Sequence, residues 1–217
     1  MNLRLGIYDI FSRIIPGGVY LFAALEFARV LDWLKIDWAS LLDLKILPSL
    51  GLIVMAYVVG TAMDRIGSTW YRLFNRGMSD RVLDEFIKEH KNQWVLDFDD
   101  NDWPILRAYI YVHNLEVGDE IDRHNALCIM LRNISLGLVF LAVSQIMQFV
   151  ITRNWLLLVL VTALILLSYQ LAIQARFMRE WFYRSIYETI IAYRLMVEEI
   201  VKPAKSLATV KKGGVKR

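Results

Sequence analysis

The run NISLGLVFLAVSQIMQFVIT, Asn133–Thr152, and the run NWLLLVLVTALILLSYQLAIQA, Asn154–Ala175, carry 20 and 22 residues without a charge, and only Arg153 separates them. At a rise of 1.5 Å per residue, each is long enough to cross a hydrocarbon layer about 30 Å thick as a helix. The break at Thr152-Arg153-Asn154 leaves room only for a tight helical hairpin. Lipid offers no partner for an open backbone, so a chain that crosses it this way must be helical throughout the crossing. The fold class that follows is all-α and integral to a membrane.

Working outward, a third uncharged window, Ile46–Met63, has 18 residues and ends abruptly at Asp64-Arg65. A shorter one, Ile14–Leu25, has 12 and is followed by Glu26, Arg29 and Asp32. The reading is four transmembrane spans, at about 14–34, 46–63, 133–152 and 154–175. Two registers fit the first. A start at Ile14 sinks Glu26 about 18 Å into the hydrocarbon. A span over Leu5–Leu25 instead brings Glu26 and Arg29 out at the far interface and pairs Asp9 with Arg13. Pro16-Gly17-Gly18 predicts a kink in either case.

Composition requires the charges to be segregated. Hydrophobic residues make up 57% of the chain and the mean hydropathy is +0.40, yet 22% of residues are charged. Eleven Lys or Arg residues flank one side of the spans (Arg4, Arg13, Arg65, Arg72, Arg76, Arg81, Arg123, Arg132, Arg176, Arg179 and Arg184) and three (Lys35, Lys45, Arg153) flank the other. The positive-inside rule then places both termini and the 65–132 segment in the cytoplasm. Trp33, Trp38 and Trp155 fall at the outer interface. No cleavable signal is expected, because Pro16-Gly17-Gly18 interrupts the first apolar region and no cleavage signature follows. The single cysteine, Cys128, forms no intrachain disulfide.

The layout therefore divides into an N-terminal hairpin (1–64), a helical cytoplasmic insert (65–132), a second hairpin (133–175), a cytoplasmic helix continuing span four (176–201) and a basic tail (202–217). In the insert, Ser79-Asp80 reads as a helix start ahead of an apolar stripe of Val82, Leu83, Phe86 and Ile87. Asp102 is placed to cap a helix opening on Trp103-Pro104, and Gly118 to end it, with Asp119 or Asp122 starting the next. After span four, Phe182, Ile186, Ile190, Tyr193, Val197 and Ile200 recur at steps of three and four. That stripe needs partners, and the insert helices are the obvious ones. The tail carries Lys202, Lys205, Lys211, Lys212, Lys216 and Arg217 with no acid, a pattern suited to anionic lipid head groups.

Several residues are candidates for more than packing. Glu26 and Arg29 form an intramembrane acid-base pair at i,i+3. Gln145 and Gln148 share one face of span three and must meet protein or water. Ala24 and Ala28 in span one, and Ala56 and Gly60 in span two, form small-residue surfaces for close helix contact, pointing to a homo-oligomer. Trp94, Trp103, Tyr109, Tyr111 and Trp181 sit on polar helices, as docking aromatics do at protein interfaces.

No metal site and no cofactor is expected. Asp97–Asp102 starts like a calcium loop but has Asp102 where glycine is required and Ala108 where a bidentate glutamate belongs. Glu120, His124 and Cys128 share one helix and do not close a tetrahedral site. Arg107 and His113 fit a loose Arg-x(4–6)-His ribonuclease signature of the HEPN type, at a spacing this arginine-rich chain produces by chance. A phosphate loop, a nucleophile elbow and a zinc-protease motif are all absent from the sequence. The expectation is a protein without enzymatic activity and without direct nucleic-acid contacts.

The order Ser-Arg-Ile-Ile-Pro-Gly-Gly (12–18), a span closing on Ala-Tyr-Val-Val-Gly (56–60), a helical insert and an entry into span three through Arg132-Asn133-Ile134-Ser135 resembles the small four-span membrane proteins of prokaryotic phage-defence loci, the membrane subunits of Kiwa-type systems among them. The resemblance lies in layout and carries over no catalytic residue. It implies an oligomeric inner-membrane sensor that controls a soluble cytoplasmic effector. A channel that depolarises the cell, using Glu26 and the Gln145/Gln148 face, and a membrane-tethered nuclease, using Arg107 and His113, are the competing expectations.

Overall fold

The computed structural model describes residues 3–33, 46–74, 78–90 and 102–192. Every regular element among them is an α-helix: α1 Leu3–Val30, α2 Ile46–Phe74, α3 Met78–His90, α4 Trp103–His113, α5 Leu115–Thr152 and α6 Leu156–Ala192. Four of these are long and apolar enough to cross a membrane, over Ile10–Val30 in α1, Pro48–Arg72 in α2, and within α5 and α6. The protein is an all-α, multi-pass membrane protein. Trp38, Lys35, Lys45, Trp94, most of the acidic turn, Tyr193, Val197, Ile200 and the basic tail lie outside the described residues.

Helix ends follow local chemistry that in places differs from the sequence expectation. The first span does not reach residue 34. Asp32 adopts φ 57°, and the Trp33 amide donates to the Ala28 carbonyl at 3.0 Å, a left-handed stop that closes α1 at Val30. The helix is continuous across Pro16. The helix that carries span two does not end at Met63: it runs on to Phe74, so the expected boundary at 64/65 falls inside α2. The short hairpin is as anticipated. Arg153 sits at φ 56° and Asn154 Oδ1 accepts the Leu156 amide at 3.1 Å, ending one span and capping the next.

Asp102 is helical in φ and ψ and makes no side-chain cap bond, so it does not start α4 in the expected way. Nor does Gly118 end that helix. Asn114 ends it instead, extended at φ −149°, and its Oδ1 accepts the Glu116 and Val117 amides at 3.1 and 3.3 Å. One asparagine thus ends α4 and caps α5. Asp119 and Asp122 lie inside α5 rather than starting it. Gly118 is in its first turns, where a Cβ would meet the Tyr111 ring at 3.0 Å.

The chain divides into two compact units, Met1–Arg76 with Asn125–Met178 and Gly77–His124 with Arg179–Arg217. In the first, α1 and α2 touch backbone to backbone. A Cβ on Gly60 would lie 2.0 Å from the Arg13 carbonyl oxygen. Between α5 and α6, Ser135 and Ser168 are buried and exchange hydroxyl-to-carbonyl bonds of 2.9 and 2.8 Å. The second unit has its own core: Val82, Leu83 and Phe86 from α3, Leu106 and Ile110 from α4, Ile121 from α5, and Phe182, Ile186, Tyr187 and Ile190 from α6. The stripe along α6 as far as Ile190 therefore packs against the helices of the insert. That burial, rather than helix propensity, stabilises pieces as short as α3 and α4.

Candidate functional site

Among the described residues, the membrane unit holds two clusters built on charged side chains. In the first, Glu26 is only 6% exposed. Its Oε2 accepts from Arg29 Nε at 3.1 Å and Nη2 at 2.8 Å. Arg29 Nη2 also donates to Gln148 Oε1 at 3.3 Å. The i,i+3 spacing on α1 brings acid and base together locally, and α5 supplies the amide. Gln145, a turn earlier on α5, is buried as well. The structure thus brings Glu26, Arg29 and Gln148 into one bonded group. A buried charge in lipid needs such a partner, since an isolated one is costly.

The second cluster gathers Asp64 of α2 with Arg132 and Asn133 of α5. Asp64 Oδ1 accepts from Arg132 Nη2 at 2.7 Å and from Asn133 Nδ2 at 3.0 Å. Asn133 is fully buried, and a Cβ on Gly67 would fall 1.8 Å from its Oδ1. Glycine at 67 is what admits the amide between the helices. Arg13 Nη1 donates to the Tyr57 hydroxyl at 3.4 Å. Sequence reading took Asp64 only as the end of a span. The signal that could have flagged it is an acid followed by Arg65 within a helix that has not ended.

The small-residue surfaces separate into used and unused. Ala56 and Gly60 are buried against α1, at Gly17 and the Arg13 carbonyl. Ala24 is exposed, Ala28 is half-buried, and the buried alanine of α1 is Ala23. The partner of the Ala56/Gly60 surface is within the chain. Gly17, seen in the sequence only as part of a kink, is the residue that makes the approach possible.

In the second unit, Arg107 of α4 is bidentate on Asp122 of α5, with Nε–Oδ1 2.6 Å and Nη2–Oδ2 2.5 Å. The Tyr111 hydroxyl donates to the same Oδ2 at 2.5 Å. Burial, reinforced by that bond to a carboxylate, pushes the Tyr111 phenol well above its ordinary range. The Arg107 guanidinium is raised chiefly by its bond to Asp122. His113 is held separately, its Nδ1 3.0 Å from the Tyr109 carbonyl and its ring stacked on Tyr109 at 4.0 Å between centroids. Among the described residues, Arg107 and His113 thus have different bonding partners and no shared one. Asp122, expected only to start a helix, turns out to be the hub that ties α4 to α5.

The aromatic docking candidates have unequal fates. Trp103 lies edge-on to Phe182 and Tyr183, 5.5 and 5.9 Å between centroids, at the margin of the core. Arg179 lies over that group, 4.8 Å from the Tyr183 ring. Tyr111 is committed to Asp122 and Tyr109 to His113. Among the described candidates, Trp181 is the exposed one, at 54%, and its ring is stacked with His124 at 6.5 Å. Beside it, Val82, Glu85, Phe86, Glu89, Glu180 and Arg184 line a shallow groove of about 10 Å³, and Arg184 pairs there with Glu89 at 3.0 Å. A cavity that small holds no more than a water. Compared with known proteins, the chain matches no family model, no curated protein and no solved structure.

Proposed function

We propose that this chain is a non-enzymatic, oligomeric scaffold and sensor of the inner membrane. Its helical unit faces the cytoplasm and docks a soluble effector, in the setting of antiviral defence. The observation that carries this reading is the helical unit itself, a separately cored body attached to four apolar helices. Within it Arg107, Asp122 and Tyr111 are bonded to one another, while Trp181 is 54% exposed. Residues combined in that manner build a docking platform rather than a reaction centre. The polar group of α1 and α5 supports the same reading, because Arg29 donates to both Glu26 and Gln148 and ties the two helices together. The basic tail adds attraction to anionic head groups, and the Lys/Arg bias of the loops supports an orientation with both termini inside.

The test is affinity purification of the full-length protein from its native membrane. A soluble protein should co-purify in fixed proportion and be lost from Trp181→Ala without loss of helicity. Conductance in liposomes that disappears in Gln145→Leu would overturn the reading in favour of a channel. RNA cleavage that disappears in His113→Ala would overturn it in favour of a nuclease.

A further inference from the structure

The outward face of α6 within the membrane unit carries side chains that lipid does not accommodate. Only 11% of the most apolar window of this helix is buried. Apolar side chains such as Leu156 and Val159, 74% and 68% exposed, suit hydrocarbon. Gln170 and Gln174 are exposed in the same way, and neither amide has a hydrogen-bond partner among the described residues. Gln170 lies about 21 Å beyond Leu156 at 1.5 Å per residue, inside a core about 30 Å thick. Thr162, also exposed, closes its hydroxyl on the Leu158 carbonyl at 2.9 Å. A primary amide has two donors and two acceptor sites and must look outside its own helix for them.

The exposed positions are also ordered. Leu156, Val159, Ala163, Leu166 and Gln170 follow one another at steps of three, four, three and four, all exposed. That is the heptad spacing of a helix seam, with a small residue where two helices would come closest. We propose that this seam is where a second copy of the chain packs, parallel to the first, with the Gln170 amides of the two copies hydrogen-bonded to each other. Copies inserted the same way around put identical positions at the same depth. An amide, being donor and acceptor at once, is its own complement. A different protein would need a matching polar group at that level, whereas another copy supplies it automatically. The inference rests on the oligomeric part of the proposed function and names its surface.

Cysteine crosslinking in native membranes tests it on the full chain, with the buried Cys128 retained as an internal residue that should not react. Val159→Cys and Ala163→Cys should give a dimer band, and Ile165→Cys, exposed on another face of α6, should not. In detergent, Gln170→Leu should associate about tenfold more weakly, equivalent to the loss of about 1.4 kcal/mol of interhelical hydrogen bonding. Gln170→Asn should retain most of the association. Crosslinking at Ile165 instead of Ala163, a foreign protein captured at Val159, or an unchanged assembly in Gln170→Leu would each overturn the seam. The docking reading is tested separately, since a soluble partner can still be lost from Trp181→Ala whichever face joins the copies.

Discussion

Gly17 of α1 and Ala56 of α2 meet backbone to backbone: a Cβ built on Gly17 would lie 1.7 Å from the Ala56 carbonyl oxygen. A carbonyl in a helix cannot swing aside as a flexible side chain can. Gly17→Ala should therefore push α1 and α2 apart and destabilise the membrane unit by about 1–3 kcal/mol, the usual range for overpacking. Gly18, with open space around the same position, should accept alanine with little change. Thermal denaturation in detergent, followed by tryptophan fluorescence, compares the two variants directly.

Asp64 receives bonds from both Arg132 and Asn133. Asp64→Ala strands a guanidinium that is 14% exposed and a fully buried amide. The expected loss is about 1–3 kcal/mol, the cost of leaving buried donors unsatisfied. Asp64→Asn keeps one acceptor and should recover part of it. Denaturation midpoints of the two variants, measured in the same detergent, give the ordering.

Glu26 and Arg29 should behave as a unit. Removing either alone leaves its partner without the opposite charge, at a cost of up to about 3–5 kcal/mol, an upper bound here because Arg29 is 35% exposed. Glu26→Leu combined with Arg29→Leu should be less harmful than either single change. A double-mutant cycle on stability, with accumulation in the membrane as a second readout, measures the coupling.

The second unit should lose stability at alkaline pH through Tyr111. Its phenol titrates higher in the folded protein than in the unfolded chain, first through burial and then through Asp122. The folded state therefore holds the proton more tightly. That contribution is complete below the ordinary tyrosine value of about 10 and is lost as pH rises through the folded value. Tyr111→Phe should lack this component and show a flatter stability profile above about pH 10. Equilibrium unfolding across that range separates the two.

Some of the site was legible in the chain and some was not. Glu26 with Arg29 was visible because an i,i+3 pair is set by one helix. Their link to Gln148 crosses 119 positions, and no periodicity encodes it. Gly118 reads as the end of α4 because glycine is the commoner helix terminator. The choice was made by the extended backbone of Asn114 and by Tyr111 packing over Gly118.

What the order of residues determined by itself is the number of membrane helices, their minimum length and the tight turn at Arg153, because hydropathy and helical rise act within one segment at a time. What only the tertiary structure decided is the pairing of polar groups and the use of glycines. Asp64 finds Asn133, Arg107 finds Asp122, and Gly17 fits beneath Ala56 because separate helices pack face to face. Which faces meet depends on the shape of every side chain between them.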